Sequence, residues 1–279
     1  ISYPQFLPSV QRMSRMREKI VLGSVIALLL VVVIIEYSED QVTPTTSMVG
    51  GIYGDVNVTL LSNAGVMIEA NDMRIYIDPI DLPDYYSEYP ADAILITHSH
   101  GDHYQTSMIN MLQKEGTVNI FPEVMSIEIA RHDGVGVDPE DEFMVGNMKI
   151  TPFYMYTFSP VLGEDASHPA EDNYTSYIID IDGFTLFHAG DTKNLPEYDD
   201  LTGAINVAML PLGPGCQTMA DEEVVAALNV IEPEYFIPIH FTDGQNDQFC
   251  SSFRSTIEAV TECEILNLDH FTTHAFEAG

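Results

Sequence analysis

The sequence at residues 97–104 reads Thr-His-Ser-His-Gly-Asp-His-Tyr, and it continues an apolar run from residue 93 that is typical of a strand. Four of its side chains can bind a metal, and they fall within six positions. Residues two apart on a strand point to the same side, so His98 and His100 would share one metal ion. Imidazole and carboxylate groups together suit zinc and similar divalent metals. The stretch therefore predicts a metal site at the end of a strand.

A turn inside this stretch divides its metal-binding groups into two pairs. We expect Gly101 to be needed at the turn, because the backbone must bend sharply between the pairs. Beyond the turn, Asp102 and His103 would face a second metal ion. The sequence thus predicts a site for two ions rather than one.

Three further segments strengthen this interpretation. Residues 74–79 read Arg-Ile-Tyr-Ile-Asp-Pro, residues 186–192 read Leu-Phe-His-Ala-Gly-Asp-Thr, and residues 236–240 read Phe-Ile-Pro-Ile-His. Together with the pattern His-x-His-x-Asp-His they resemble the metallo-β-lactamase superfamily of binuclear metal hydrolases. The last two segments look closest to the branch that contains ascorbate-6-phosphate lactonase and many uncharacterised metal-dependent hydrolases.

The resemblance implies a set of metal ligands, residue by residue. The first ion would take His98, His100 and His168, the second would take Asp102, His103 and His240, and Asp191 would bridge the two. His188 is the alternative to His168. Asp78 would support the metal loop through hydrogen bonds and would not bind a metal itself. The remaining histidines match no ligand motif and are expected on the surface or in loops; they are His132, His270 and His274.

The resemblance also implies a chemistry. Two zinc ions would hold a hydroxide that attacks a small ester, lactone or amide, with Asp102 as the catalytic residue that holds or accepts its proton. Manganese and iron are the alternative metals. A second hypothesis is a phosphodiesterase that acts on lipid head groups, for which the aromatic residues at 85–89 and 153–158 would supply a hydrophobic rim. A third is a non-hydrolytic metal-binding protein or a di-iron redox protein, although the di-iron members of the superfamily have Glu in place of His100.

Hydrophobic periodicity predicts an α+β or α/β domain, and the resemblance narrows this to a four-layer αββα sandwich. Strands are predicted at residues 55–61, 66–70, 73–77, 148–158, 174–181, 184–187, 235–239 and 264–268, with a hairpin turn at residues 182–183. Helices are predicted at residues 107–114, from Asp221 to just before Pro233, and at residues 252–260. Asp221 is expected to cap its helix.

The N-terminal part of the chain has a different composition. Residues 1–19 form a basic leader, residues 20–37 an apolar transmembrane anchor, residues 38–50 a polar tether, and residues 51–279 the hydrolase domain. Because basic residues stay on the cytoplasmic side, the anchor would cross the cell membrane once and place the catalytic domain on its outer side. A cleaved signal peptide is the alternative, but no small-x-small cleavage site follows the apolar core.

The chain is strongly acidic, with 10 basic and 43 acidic residues and a net charge of −33. Nucleic-acid binding requires basic surface to meet the phosphates, so nucleic acid is not expected as a partner. The expected partners are a small-molecule substrate and, through the anchor, the membrane. The sequence leaves the oligomeric state open.

The three cysteines fall in the last third of the chain. Cys250 and Cys263 flank the last predicted helix, and the sequence leaves open whether they form a disulfide. Cys216 lies in a Gly-rich loop that we expect at the mouth of the site. The next residue is Gln217, where the related branch usually has an aromatic residue.

Overall fold

The computed structural model describes residues 55–159, 163–213 and 215–277. Within these residues the strands are β1 (Val56–Leu60), β2 (Val66–Ala70), β3 (Met73–Ile77), β4 (Ala93–Leu95), β5 (Val118–Pro122), β6 (Val135–Val137), β7 (Phe143–Val145), β8 (Met148–Tyr154), β9 (Thr175–Ile181), β10 (Phe184–His188), β11 (Val207–Pro211), β12 (Tyr235–Ile239), β13 (Glu264–Ile265) and β14 (Thr272–Phe276). The helices are α1 (Thr106–Leu112), α2 (Ser126–His132), α3 (Asp221–Ile231) and α4 (Gln245–Val260).

The predicted leader, anchor and tether lie outside the described residues. Among the helices that are described, none combines the length and the apolar character that a membrane span requires.

The strands form two seven-stranded sheets with the same plan. The first has the order β14-β1-β2-β3-β4-β5-β6, and the second has the order β13-β12-β11-β10-β9-β8-β7. In the first sheet β3, β4, β5 and β6 pair in parallel, and in the second β10, β11, β12 and β13 do so. The other neighbours pair antiparallel. In one half of each sheet, therefore, the carboxyl ends of the strands lie at the same edge.

The main core lies between the sheets and extends beneath two helices. Strand β11 is buried at all five of its positions, as is usual for a central parallel strand. Helix α3 buries Val224, Leu228 and Ile231, the residues whose spacing predicted its apolar face. Together with α4 it covers the outer face of the second sheet.

A second, smaller core covers the outer face of the first sheet. It joins Tyr76 and Ile94 of the sheet to Ile109 and Leu112 of α1. Helix α2 packs beside them on β5. Helices thus lie on both outer faces of the two-sheet sandwich, and the α+β prediction is confirmed.

Several predicted boundaries were wrong. The residue that caps α3 is Ala220, and Asp221 is already helical. The Glu223 carboxylate reaches back and accepts the Ala220 N–H at 2.8 Å. Helix α4 begins at Gln245, seven residues before the prediction, because its first turns are polar and carry no strong apolar pattern. The strand predicted at 148–158 ends at Tyr154, and that predicted at 264–268 is only two residues long.

One predicted turn has the expected conformation. Asp182 and Gly183 both have positive φ, 52° and 95°, and they join β9 to β10. Two positive φ values match a two-residue hairpin turn, which Asp-Gly favours. The turn fixes the register of β10, the strand that leads into the Gly-Asp segment.

Candidate metal centre

The predicted ligands come from loops at one edge of the sandwich. Residues 98–103 follow β4, Asp191 follows β10 and His240 follows β12, whereas His168 lies in the long connection between β8 and β9. Parallel strands present their carboxyl ends at the same edge, and open α/β sheets bind ligands there. The two parallel halves therefore bring residues from distant parts of the chain to one place.

Seven side chains meet at this edge in three overlapping groups. The groups are His98 with His100 and His168, His98 with His103 and Asp191, and Asp102 with His103 and His240. In each group one nitrogen or carboxylate oxygen per residue lies within 4.8 Å of the others. The structure thus brings together every predicted ligand, including His168, and places Asp191 between the two outer groups.

The buried polar atoms at the centre of this cluster have no hydrogen-bond partners. They are His98 Nε2, His103 Nε2, His240 Nε2 and both carboxylate oxygens of Asp191. Asp191 lies 3.2 Å from His103 Nε2 and 3.4 Å from His240 Nε2, which are contact distances without hydrogen-bond geometry. Unpartnered buried polar groups are costly, so a set that faces one region indicates a cation-binding site. The nitrogen and carboxylate oxygen atoms of these residues are suited to bind divalent metal ions.

Asp78 holds the metal loop from beneath. It is fully buried, and its two oxygens accept hydrogen bonds from Thr97 N (2.8 Å), Thr97 Oγ1 (2.6 Å) and His103 Nδ1 (2.7 Å). The bond to Asp78 places a proton on His103 Nδ1 and directs Nε2 toward the cluster. The prediction that Asp78 acts through hydrogen bonds agrees with this geometry.

Thr97 in turn fixes which ring nitrogen of His98 carries the proton. Since Thr97 Oγ1 donates its proton to Asp78, it can only accept from His98 Nδ1, 3.0 Å away. His98 therefore also carries its proton on Nδ1 and directs Nε2 into the cluster. One carboxylate thus orients two predicted ligands, one for each ion.

His188 is not placed to bind a metal. Its Nε2 donates to Ala64 O at 2.8 Å, and its Nδ1 accepts from Gly190 N at 3.3 Å, so both ring nitrogens are used. Gly190 has a positive φ of 62°, and an added Cβ would lie 2.6 Å from Met155 Sδ. His188 and Gly190 together shape the turn that presents Asp191.

The expectation for Gly101 was wrong. Its φ lies outside the left-handed region, and an added Cβ would meet nothing within 4 Å. The bend between the two ligand pairs is made without a conformation reserved for glycine. In the metal centre it is Gly190 that the backbone requires.

Burial and neighbouring charges shift the pKa values of the predicted ligands in different directions. Burial, reinforced by the surrounding histidines, holds the pKa of His98 well below its usual value, and burial lowers the pKa of His168 to about 4. Burial would also lower the pKa of His103, but Asp191 and Asp78 outweigh it and raise that pKa well above the usual value. The His240 imidazole, whose Nε2 lies 3.5 Å from the Asp102 carboxylate, holds the pKa of Asp102 far below its usual range. The carboxylate is therefore ionised and two of the histidines are neutral, as metal ligands must be.

Several supporting residues were missed by the sequence analysis. Asn63 Nδ2 donates to Asp102 O at 3.0 Å, and Asn63 O accepts from His240 N at 3.1 Å, so this residue ties together two ligand backbones. The Tyr174 ring packs edge-on against His98 and His168. In the sequence Asn63 belongs to an ordinary turn and Tyr174 to the start of a strand, so neither carried a distinguishing signal.

The side chains outside the centre correct one further expectation and settle one question that the sequence left open. His132 is buried, not on the surface, because it stacks on Phe121 and pairs with Tyr104 Oη at 3.0 Å. Cys250 and Cys263 are buried, separate thiols, so they form no disulfide. Cys216 is an exposed thiol.

Comparison with known proteins identifies relatives of this arrangement. The family model for the β-lactamase superfamily domain matches residues 57–240. A metal-dependent hydrolase of Pelotomaculum thermopropionicum is 30% identical over 225 residues, covering 75% of this chain and 95% of the relative. One of Pyrococcus furiosus is 29% identical over 203 residues, covering 67% and 84%. The crystal structure of a metal-dependent hydrolase from Parabacteroides distasonis has a TM-score of 0.65 and 27% identity, covering 77% of this chain and 94% of that one.

Proposed function

The chain belongs to the metallo-β-lactamase superfamily and is a metal-dependent hydrolase, and from this premise we propose that it uses two zinc ions to hydrolyse a small ester, lactone or amide. The observation that carries the proposal is the set of buried, unpartnered nitrogen and oxygen atoms that converge from separate loops. The first ion would be held by His98, His100 and His168. The second would be held by Asp102, His103 and His240, with Asp191 shared between the two ions.

When bound, the ions would polarise the scissile carbonyl and lower the pKa of water to about 7, so that hydroxide forms near neutral pH. Of the two carboxylates, Asp102 is the one that reaches the surface, since its side chain is 46% exposed and that of Asp191 is fully buried. Its ionised carboxylate is placed to accept a hydrogen bond, and then the proton, from the attacking water. The Nδ1 protons of buried His98 and His103 are donated in hydrogen bonds to Thr97 Oγ1 and Asp78, so these protons are not available to the attacking water.

The distribution of cations favours an uncharged substrate. Residues 55–279 contain six basic residues against 39 acidic ones. Each of the six has an acidic partner within 4.0 Å; the pairs are Arg74–Glu69, Lys114–Asp92, Arg131–Glu128, Lys149–Glu142, Lys193–Glu223 and Arg254–Glu258. In this part of the chain every Lys and Arg side chain is thus paired with a carboxylate, and the acidic surface repels anions. A neutral ester, lactone or amide therefore fits better than a phosphodiester.

One observation favours the phosphodiesterase hypothesis. Tyr85, Tyr89 and Phe271 are exposed aromatic side chains, and each ring contacts the buried ring of Tyr86. Of the predicted hydrophobic rim, Phe158 is exposed as well, whereas Phe153 is buried. An exposed aromatic group of this kind would suit a lipid substrate. We keep it as the second candidate because, apart from the proposed metal ions, the described residues offer the phosphate no basic side chain that lacks an acidic partner.

Metal analysis followed by a substrate panel tests the proposal. We expect about two zinc ions per chain in the full-length protein and the loss of at least one in Asp191→Ala. The same change at the exposed residue Asp200, Asp200→Ala, is the matched control and should retain both. Wild-type protein that binds fewer than two ions after purification without chelators would refute the binuclear site. Turnover of phosphodiesters, but not of esters, lactones or amides, would favour the second candidate.

We also propose, from the sequence of residues 20–37 alone, that the protein is anchored in the cell membrane with its catalytic domain outside. The apolar run, its basic leader and its acidic following residues support this orientation. Protease added to intact cells should then digest the domain. A domain protected in intact cells and digested only after lysis would contradict the orientation.

A further inference from the structure

Of the metal ligands, His168 has the least support from secondary structure. It belongs to the connection between β8 and β9 and does not directly follow a strand. Its backbone is nevertheless held at both ends: His168 N donates to Thr157 Oγ1 at 3.0 Å, and Thr157 N donates to His168 O at 2.7 Å. The side chain is fully buried. The position of this ligand therefore depends on contacts that its loop makes with other loops.

One of these contacts comes from Gln217, 50 residues further along the chain. Gln217 Oε1 accepts the N–H of Ser167, the neighbour of His168, at 2.9 Å, and Gln217 Nε2 donates to Asp165 O at 3.3 Å. A single primary amide thus bonds to the backbone on both sides of residue 166. A side chain that carries both a donor and an acceptor on one planar group is suited to hold such a loop in register.

Gln217 can hold the loop because its own backbone is fixed. The next residue, Thr218, is fully buried, and its hydroxyl donates to the carbonyl oxygens of Gly213 and Gly215. Thr218 O accepts from Lys193 Nζ at 2.8 Å, and Lys193 lies two residues beyond Asp191. The Gln217 loop is therefore anchored to the segment that carries the bridging aspartate.

Gln217 also has a backbone conformation that few residues adopt. Both Cys216 and Gln217 have positive φ, 51° and 60°. Such conformations are uncommon for residues other than glycine and persist where surrounding contacts require them. In this loop the conformation turns the Gln217 amide toward the segment that precedes His168.

We propose that Gln217 is a positioning residue for the first metal site and sets its affinity by holding the His168 loop. The inference rests on the proposed two-ion site, since it requires His168 to be a ligand of the first ion. It concerns only that ion, because the ligands of the second follow β4 and β12 and make no contact with this amide. Loss of the amide should therefore weaken one of the two ions selectively.

The test is a metal titration of the full-length, metal-free protein with Co²⁺ and Zn²⁺ against a chromophoric chelator. The Gln217→Met variant keeps the length of the side chain but loses both hydrogen bonds. Partners of this kind typically contribute about 10–100-fold to metal affinity, so we expect one ion to bind at least about tenfold more weakly and the other to bind as in wild type. Gln217→Glu retains the acceptor for Ser167 N–H and should lose less.

The control is Gln248→Met, the same chemical change at an exposed position of α4, and it should leave both affinities unaltered. If the wild type binds two ions and Gln217→Met binds both equally tightly, this inference is overturned and the binuclear proposal stands. An equal weakening of both ions in Gln217→Met would overturn it as well, because the amide would then support the centre as a whole. Fewer than two ions in the wild type would overturn both proposals.

Discussion

The Asp78→Asn substitution tests how the metal centre is preorganised. Asn has the shape of Asp, but one oxygen becomes an amide that donates. If its oxygen keeps the bond to Thr97 N, its NH₂ group faces His103 Nδ1 and Thr97 Oγ1, which both donate to Asp78 in the native protein. His103 can satisfy this group only by accepting at Nδ1, which moves its proton to Nε2, the nitrogen that would bind the second ion.

The same substitution reaches the first ion through Thr97. Its hydroxyl would accept from the new amide and donate to His98 Nδ1, so that His98 Nε2 carries a proton as well. Loss of a supporting hydrogen-bond partner costs about 10–100-fold in metal affinity, which is about 1.4–2.8 kcal/mol for each ion. Because both histidines change, we expect the affinity for both ions to fall, in contrast to the effect of Gln217→Met on one.

The assay is the chelator-competition titration, with circular dichroism to verify that the variant is folded. Asp92→Asn is the matched control: Asp92 accepts a hydrogen bond from Arg74 N at the opposite end of the same strands, far from the ligands. A folded Asp78→Asn variant that binds two ions as tightly as wild type would refute the argument that Asp78 sets the tautomers of both histidines.

Three other measurements address separate features. Because Asp191 and Asp78 raise the pKa of His103, metal binding at pH 7 should release about one proton, and the metal affinity should fall as the pH falls. Calorimetry in buffers of different ionisation enthalpy would measure the number of protons released, and metal binding without proton release would contradict this prediction. Lys193→Met removes the largely buried ion pair with Glu223 and the hydrogen bond to Thr218 O. It should lower the free energy of unfolding by about 2 kcal/mol and the melting temperature by about 4–8 °C. An unchanged melting curve would refute this prediction. Of the three free cysteines, only exposed Cys216 should react with a thiol reagent in the folded protein, and all three should react after denaturation; two or more fast thiols in the native state would contradict the burial of the others.

The sequence by itself determined the chemistry of the site and much of its scaffold. The four metal-binding residues between His98 and His103 lie in a single loop. Their spacing can therefore be read from the sequence without knowing how distant parts of the chain fold. Strands β2, β3, β9, β10 and β12 and the hairpin at Asp182-Gly183 were likewise predictable, because apolar runs and turn residues act locally.

Other elements left too little local signal. The strands β5, β6, β7, β11 and β14 and the helix α2 were not predicted. Strand β14 is mostly exposed and polar, and it exists because its backbone pairs with β1 across more than 200 residues of sequence. Its backbone hydrogen bonds come from the partner strand β1, and no periodicity within the β14 sequence indicates that partner.

Only the tertiary structure decided how the ligands are oriented and supported. Asp78 meets His103 across 25 residues, Gln217 meets Ser167 across 50, and His188 meets Ala64 across 124. Hydrogen bonds of this kind depend on which atoms the register of two sheets brings within about 3 Å, and composition and spacing along the chain do not encode that distance. The same reason explains why Gly190, rather than Gly101, is the glycine that the centre requires: the atoms that exclude a side chain there belong to Met155 and Thr97, which approach it only in the folded protein.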